Sequence, residues 1–169
     1  MLRRRTGRLA AAFLALSAWA CVAEPVPSEN LALLGELAPD LRLEWMDGTP
    51  AGLLSELRGK VVLLEFWRTW CEACQAEVPY LNDLHARYQP DGLFVVGVTS
   101  EEASVVRTAL DLESIAYPVA RTSDAQAERQ WGITAVPRAF LVDREGALVW
   151  VGHPGALEEG RLRELLYGP

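Results

Sequence analysis

The stretch that decides the fold is residues 60–80, KVVLLEFWRTWCEACQAEVPY. It opens with an apolar, β-branched run over residues 61–64, which predicts a buried strand. The part that follows Cys71 is rich in glutamate, alanine and glutamine, and these residues favour a helix. Cys71 and Cys74 therefore stand where a strand passes into a helix.

This position favours ionisation of the first cysteine. The first turn of a helix exposes unpaired backbone N–H groups and the positive end of the helix dipole. Such settings lower the pKa of a cysteine thiol from roughly 8.5 to roughly 3.5–7.5. Cys74 lies one turn further on, within reach of a disulfide to Cys71 and expected to be more buried. The pattern predicts a nucleophilic Cys71 and a resolving Cys74.

Two other interpretations of the pair stay open on the residues alone, a structural disulfide and half of a zinc site. A zinc site normally has four ligands. The remaining candidates, Cys21, His85 and His153, do not have ligand spacing to the pair. We therefore expect no metal and no cofactor.

Residues 66–74, FWRTWCEAC, with Pro79 after them, resemble the active site of extracytoplasmic thiol-disulfide oxidoreductases of the TlpA/ResA type, in the thioredoxin-like superfamily. The likeness extends from about residue 37 to residue 166. It implies an α/β thioredoxin fold with a central mixed sheet flanked by helices, an N-terminal hairpin and a central helix-strand insertion.

The remaining pattern is consistent with this fold. Alternation at Leu41, Leu43 and Trp45 before a turn over 47–50 predicts one arm of a hairpin. A buried strand over 93–98 after the cysteine helix implies a right-handed parallel crossover. Other predicted elements are helices over 101–112, 124–131 and 157–166 and strands over 117–120, 139–142 and 147–151.

The resemblance also assigns roles to residues around the cysteines. Pro137, after Val136, matches a cis-proline that packs beside the disulfide and offers backbone groups to substrate; on sequence alone, a trans turn proline is the alternative. Glu65 matches the buried acid of thioredoxins, which would pass a proton to or from Cys74. Its alternative is a partly solvated strand residue. Glu77 matches an acid that tunes the dithiol in ResA-like proteins.

Five other residues carry simpler expectations. Trp70 is expected to lie against the dithiol and to take part in substrate binding, and Trp67 to lie in the core. Glu72 should disfavour a Cys71 thiolate electrostatically. We expect surface or packing roles for His85 and His153.

Residues 1–20 have the order of a secretory leader. Four arginines precede an apolar run over 9–20, and no acidic residue appears before Glu24. The run is shorter than the roughly 20 apolar residues of a membrane span. The small-x-small pattern at 18–20 predicts cleavage before Cys21, which then resembles the lipidation site of bacterial lipoproteins. The alternative is that Cys21 is a bystander.

Removal of this leader leaves 12 basic and 23 acidic residues, a net charge of −11. Such a surface speaks against nucleic acid as a partner and against electrostatic docking on anionic lipid. A leader also implies an extracytoplasmic location, in the periplasm or anchored to the membrane and facing it, where disulfides persist. Residues 21–36, with two prolines, are expected to link the leader to a thioredoxin-like domain over 37–169.

The expected reaction is thiol-disulfide exchange. A Cys71 thiolate attacks a substrate disulfide, and Cys74 then resolves the mixed disulfide. The expected partners are proteins with disulfides or dithiols. The resemblance further implies a reductase that is recharged by a membrane electron-donor protein and that serves cytochrome c maturation.

Three rival functions make different demands on the sequence. A peroxiredoxin-like peroxidase should have a threonine three residues before the attacking cysteine, where this chain has Arg68, with Thr69 displaced by one. A copper-binding chaperone usually has wider cysteine spacing and a histidine near Ala135. A non-catalytic interaction domain would be expected to lose a cysteine or the proline.

Overall fold

The six residues Val61–Phe66 form the central strand, and all of them are buried. The computed structural model describes residues 26–123 and 125–168. In it this strand pairs in parallel with one neighbour and antiparallel with the other. A strand covered on both faces needs apolar side chains on both, and Glu65 is the one charged residue in the run.

The described residues form seven strands and five α-helices. The strands are β1 (Arg42–Trp45), β2 (Gly52–Leu53), β3 (Val61–Phe66), β4 (Leu93–Thr99), β5 (Val119–Arg121), β6 (Arg138–Val142) and β7 (Leu148–Gly152). The helices are α1 (Ser28–Leu31), α2 (Glu72–Tyr88), α3 (Ala103–Leu112), α4 (Ala125–Gln130) and α5 (Glu159–Tyr167). Short 3₁₀ turns lie at Leu54–Leu57, Gln89–Asp91 and Pro154–Ala156.

The strand order confirms the predicted thioredoxin fold. Across the sheet it is β2-β1-β5-β4-β3-β6-β7. Strands β3, β4 and β5 are parallel, whereas β1, β6 and β7 run antiparallel to their neighbours. The predicted hairpin is β1 with β2, and the predicted insertion is α3 with β5, which lies between β4 and β1.

Side chains alternate along β3 and so divide the core into two layers. Leu63 belongs to the layer that includes both cysteines and apolar residues of α2 and α5. Leu64 and Phe66 belong to the opposite layer. In that second layer the rings of Phe66, Trp131 and Phe140 pack in tilted and edge-to-face arrangements, with the Trp131 and Phe140 ring centroids 4.8 Å apart. Glu65 has the same parity as Leu63, so its carboxyl belongs to the layer of the cysteines.

Two predicted helices begin later than expected. Helix α3 starts at Ala103, not at residue 101, and α5 starts at Glu159, not at residue 157. Within α3, Val105 is 46% exposed, whereas Val106 is fully buried. Adjacent residues of a helix point about 100° apart, so only one of the two can face the sheet.

Residues 28–36 fall within the expected linker but contact the domain. Helix α1 buries Asn30, whose side-chain amide donates to the backbone carbonyls of Trp131 and Gly132. The backbone of the residues that follow exchanges two hydrogen bonds with Leu148, at 2.8 and 2.9 Å. This part of the chain is therefore held on the end of α4 and on β7, and it is not a free spacer.

The predicted leader over residues 1–20 and the candidate lipidation site Cys21 lie outside the described residues. Within the ranges that are described, no helix has the length and apolar content to cross a membrane.

Substitution of Asn30 tests whether α1 is docked on the domain. The variant N30A removes both hydrogen bonds and leaves two backbone carbonyls without that donor, so we expect a loss of about 1–3 kcal/mol in the free energy of unfolding. Urea denaturation followed by circular dichroism measures it. S28A, at an exposed position of the same helix, is the matched control and should lie within about 0.5 kcal/mol of the unsubstituted protein. Equal stability of N30A and S28A would contradict the docking.

Candidate active site at the start of the cysteine helix

Cys71 occupies the N-cap position of α2, as predicted. The backbone N–H of Cys74 donates to Cys71 Sγ at 3.1 Å. The sulfur thus acts as the acceptor that an N-cap side chain usually supplies. A disulfide joins the two cysteines, whose Cα atoms are 5.2 Å apart. Cys71 is 6% exposed and Cys74 is 2% exposed, in the predicted order of burial.

The Val136–Pro137 peptide bond is cis, which confirms that prediction. The backbone carbonyl of Val136 lies 3.8 Å from Cys71 Sγ. Pro137 leads directly into β6, in which Arg138 stands opposite Phe66, the last residue of β3. Pairing of β6 with β3 therefore brings the proline segment beside the disulfide.

Two tryptophans precede the cysteines and lie in different surroundings. Trp67 is 4% exposed and belongs to the core, as expected. Trp70 is 71% exposed, so most of its indole faces solvent instead of covering the dithiol. Glu72 is exposed in the first turn of α2. The indole of Trp70 is thus an apolar surface directly before the candidate nucleophile.

Glu65 is buried, with 1% of its surface exposed. The hydroxyl of Tyr117 donates to Glu65 Oε2 at 3.3 Å, and Glu65 Oε1 has no hydrogen-bond partner among the described residues. Burial raises the pKa of Glu65 to about 8, the Tyr117 hydrogen bond opposes this rise, and the charge of Glu77 adds to it. The structure thus places a buried acid where the resemblance implied one.

Glu77 is partly buried on α2, one turn beyond Cys74. Its Oε1 lies 3.7 Å from Nδ1 of His153, a contact that the sequence did not reveal. A Cβ atom built on Gly155 would lie 3.1 Å from the other carboxyl oxygen. Glu77 therefore lies against the turn after β7. Its charge also raises the pKa of the buried carboxyl of Glu65. His85 lies about three turns beyond Cys74 on α2.

Two acidic side chains that sequence reasoning missed hold the loop before Cys71. Glu101 accepts hydrogen bonds from the backbone N–H of Thr69 at 2.7 Å and from its hydroxyl at 2.9 Å. Glu128 of α4 forms a mostly buried ion pair with Arg68. Glu101 follows the carboxyl end of β4, where residues of a parallel sheet meet the loop after β3, so its position was a usable signal. Glu128 gave no such signal.

The sequence and the fold were compared with those of known proteins. A family model described as the AhpC/TSA family matches residues 34–151. The chain belongs to this family.

Three relatives indicate which activity within this family the chain has. Thiol-disulfide oxidoreductase ResA of Oceanobacillus iheyensis is 31% identical over 153 residues, which cover 88% of this chain and 79% of the relative. A protein assigned as thiol:disulfide interchange protein DsbE from Chlorobium tepidum is 30% identical with a TM-score of 0.71, covering 78% and 97%. The exposed lipoprotein thioredoxin Etrx1 of Streptococcus pneumoniae is 28% identical with a TM-score of 0.63, covering 76% and 98%.

The AhpC/TSA family member described here is therefore a thiol-disulfide oxidoreductase of the ResA/DsbE type, as the motif predicted. Its membership implies that its substrates are proteins with disulfides. The pair Cys71 and Cys74 is the CxxC centre of this type.

Ionisation of Glu65 should make stability depend on pH. Its pKa rises from an ordinary 4.5 to about 8 in the folded protein, so between these values the folded state keeps a proton that the unfolded chain has lost. Stability therefore falls as pH rises through this window, by at most about 1.4 kcal/mol per pH unit. In E65Q, whose side chain at this position cannot ionise, the free energy of unfolding should not fall in this way.

Urea denaturation of the oxidised protein at pH 5, 6, 7 and 8 measures the effect. E77Q alters the neighbouring carboxyl and leaves Glu65 in place, so it should keep most of the pH dependence. Parallel pH dependence in E65Q and the unsubstituted protein would show that Glu65 is ionised in the folded state at neutral pH.

Proposed function

We propose that this oxidoreductase is an extracytoplasmic reductase of protein disulfides in which Cys71 attacks and Cys74 resolves. The observation that carries the proposal is the position of the Cys71 sulfur, at the start of α2 and in contact with the Cys74 amide and the Val136 carbonyl. A negative charge on that sulfur is stabilised by the amide and by the helix dipole.

The exchange proceeds in two displacements. The Cys71 thiolate attacks one sulfur of the substrate disulfide, and the other substrate sulfur leaves as a thiolate and takes up a proton. Cys74 then loses its proton and attacks the Cys71 sulfur, which releases the second substrate thiolate. Two electrons pass to the substrate, and the Cys71–Cys74 disulfide of the present structure remains.

The two acids are given separate roles in this scheme. Glu65 accepts the Cys74 proton during resolution and returns it during re-reduction. Two observations support this role: its side chain belongs to the layer of the cysteines, and a carboxyl with a pKa of about 8 exchanges protons near neutral pH. Glu77 tunes the pair electrostatically through its effect on Glu65. Glu72 opposes the thiolate, although water screens its exposed charge.

Substrate binding is proposed for Trp70, Val136 and Pro137. An extended peptide that presents its disulfide to Cys71 would lie beside the proline segment and use its backbone for hydrogen bonds. The exposed indole of Trp70 would pack against the apolar side chains of that peptide.

The location outside the cytoplasm is proposed from the leader-like residues 1–20. Lipidation at Cys21 is proposed with it, supported by the lipoprotein among the structural relatives. Because α1 is docked on the domain, residues 22–27 would be the remaining spacer, with a reach of at most about 20 Å. A membrane electron-donor protein would re-reduce the disulfide, and cytochrome c maturation is the pathway that the resemblance suggests for its substrates.

The peroxidase alternative is disfavoured by the loop before Cys71. The residue three positions earlier, Arg68, is paired with Glu128, and the hydroxyl of Thr69 is engaged by Glu101. Neither group is free to activate a peroxide beside the sulfur. Copper(I) binding alone does not separate a copper chaperone from an oxidoreductase, because any reduced dithiol offers two soft thiolate ligands.

Cysteine variants test the proposed roles directly. The unsubstituted protein should speed the reduction of insulin by dithiothreitol. C71S should lose this activity by at least about 100-fold, because Cys74 lies inside α2 and lacks the helix-start position of Cys71. C74S should accumulate mixed disulfides with substrate, visible on non-reducing gels and absent from C71S/C74S.

C21S is the matched control, since it removes the remaining cysteine and should keep full activity. Peroxide consumption is measured on the same samples. Adducts on C71S instead of C74S would reverse the assigned roles, and peroxide turnover without insulin reduction would favour the peroxidase.

A further inference from the structure

Tyr117 is a buried tyrosine outside the cysteine motif, with 6% of its surface exposed. It stands just before β5, and its hydroxyl donates to Oε2 of Glu65 at 3.3 Å. The same residue lines an open groove of about 490 Å³, together with Lys60, His85 and Phe94. Tyr117 thus lines the groove while its hydroxyl contacts the buried carboxyl.

Gly97 makes room for this contact. It stands on β4 directly opposite Glu65 of β3. A Cβ atom at this position would lie 3.0 Å from Nε1 of Trp67 and 3.3 Å from the ring of Tyr117. Because no side chain is present, the tyrosine ring can cross β4 and reach the carboxyl on the next strand.

We propose that Tyr117 is a positioning residue that orients the Glu65 carboxyl and stabilises its ionised form through the hydrogen bond from its hydroxyl. The inference rests on the proposed proton transfer between Cys74 and Glu65. Tyr117 occupies one oxygen of the carboxyl, and Oε1, which has no partner among the described residues, is left for the Cys74 proton.

The proton steps balance as follows. During resolution the Cys74 S–H bond breaks, an O–H bond forms on Glu65, and the sulfur attacks the mixed disulfide. The protonated carboxyl keeps this proton, and the Tyr117 phenol stays neutral throughout. The reverse sequence supplies a proton to Cys74 when the disulfide is reduced again.

The surroundings keep Tyr117 in its neutral form. Burial, followed by the charge and hydrogen bond of Glu65, raises the pKa of Tyr117, and Glu113 and Glu77 add to the rise. The hydroxyl therefore stays protonated and remains a hydrogen-bond donor to the carboxyl. The titratable groups that act on Glu65 are Tyr117, through its hydrogen bond, and Glu77 on α2, through its charge. Of these, Tyr117 stabilises the ionised carboxyl, so its loss should raise the pKa of Glu65 further.

The variant Y117F removes the hydroxyl and keeps the ring. Oxidation of the reduced protein by glutathione disulfide is followed by stopped-flow tryptophan fluorescence, in which the first phase reports attack by Cys71 and the second reports resolution by Cys74. We expect an unchanged first phase. The second phase should be about tenfold slower at pH 7, with its pH midpoint about one unit higher, the effect of one lost hydrogen bond to a charged group.

Y80F is the matched control, because the Tyr80 hydroxyl donates to the Leu157 carbonyl at 3.0 Å and packs against the same layer. It should leave both phases unchanged. In an E65Q background, Y117F should have no further effect on the second phase. G97A, which crowds the ring and keeps the hydroxyl, should shift the midpoint in the same direction as Y117F.

Three results would overturn the inference. One is a second-phase pH profile of Y117F that superimposes on that of the unsubstituted protein. Another is an equal effect of Y117F with and without Glu65, which would mark a structural role alone. The third is an unchanged profile in E65Q, which removes the premise about Glu65 while exchange by the cysteines stands. Absence of both phases in the unsubstituted protein would instead reject the proposed exchange function.

Discussion

The hydrogen bond from the Cys74 amide to the Cys71 sulfur is the contact that joins the fold to its chemistry. It exists because β3 ends at Phe66 and α2 begins at Glu72, which leaves Cys71 as the residue whose side chain caps the helix. Pairing of β6 with β3 then brings the Val136 carbonyl to the other side of the same sulfur. A sheet whose central strand ended elsewhere would separate the sulfur from both groups.

Two sets of side chains surround this contact. One set holds the loop before Cys71 in place, and the other includes the buried carboxyl of Glu65. Glu101 and Glu128 hold Thr69 and Arg68, so the loop that presents Cys71 is fixed by the segment between β4 and β6. The insertion of α3 and β5, beyond adding a strand to the sheet, supplies the framework for that segment. In the second set, burial raises the pKa of the Glu65 carboxyl to about 8.

Sequence reasoning succeeded where the determinants are local. The apolar run of β3, the helix formers after Cys71 and the alternation in β1 each specify their element from neighbouring residues. It failed where partners are distant: Asn30 is held by carbonyls about 100 positions away, so the segment that contains it looked like a linker. Trp70 is likewise exposed in a loop whose residues are held by Glu101 and Glu128, from distant parts of the chain. The residues next to Trp70 in sequence do not indicate these contacts.

The pH dependence of alkylation at Cys71 tests the central claim most directly. The reduced protein is treated with iodoacetamide across pH 5–10, and modification of Cys71 is quantified by mass spectrometry. If the helix start and the Cys74 amide stabilise the thiolate, the reaction rate should titrate with a pKa clearly below the roughly 8.5 of a free cysteine. A midpoint at or above that of free cysteine would contradict the account.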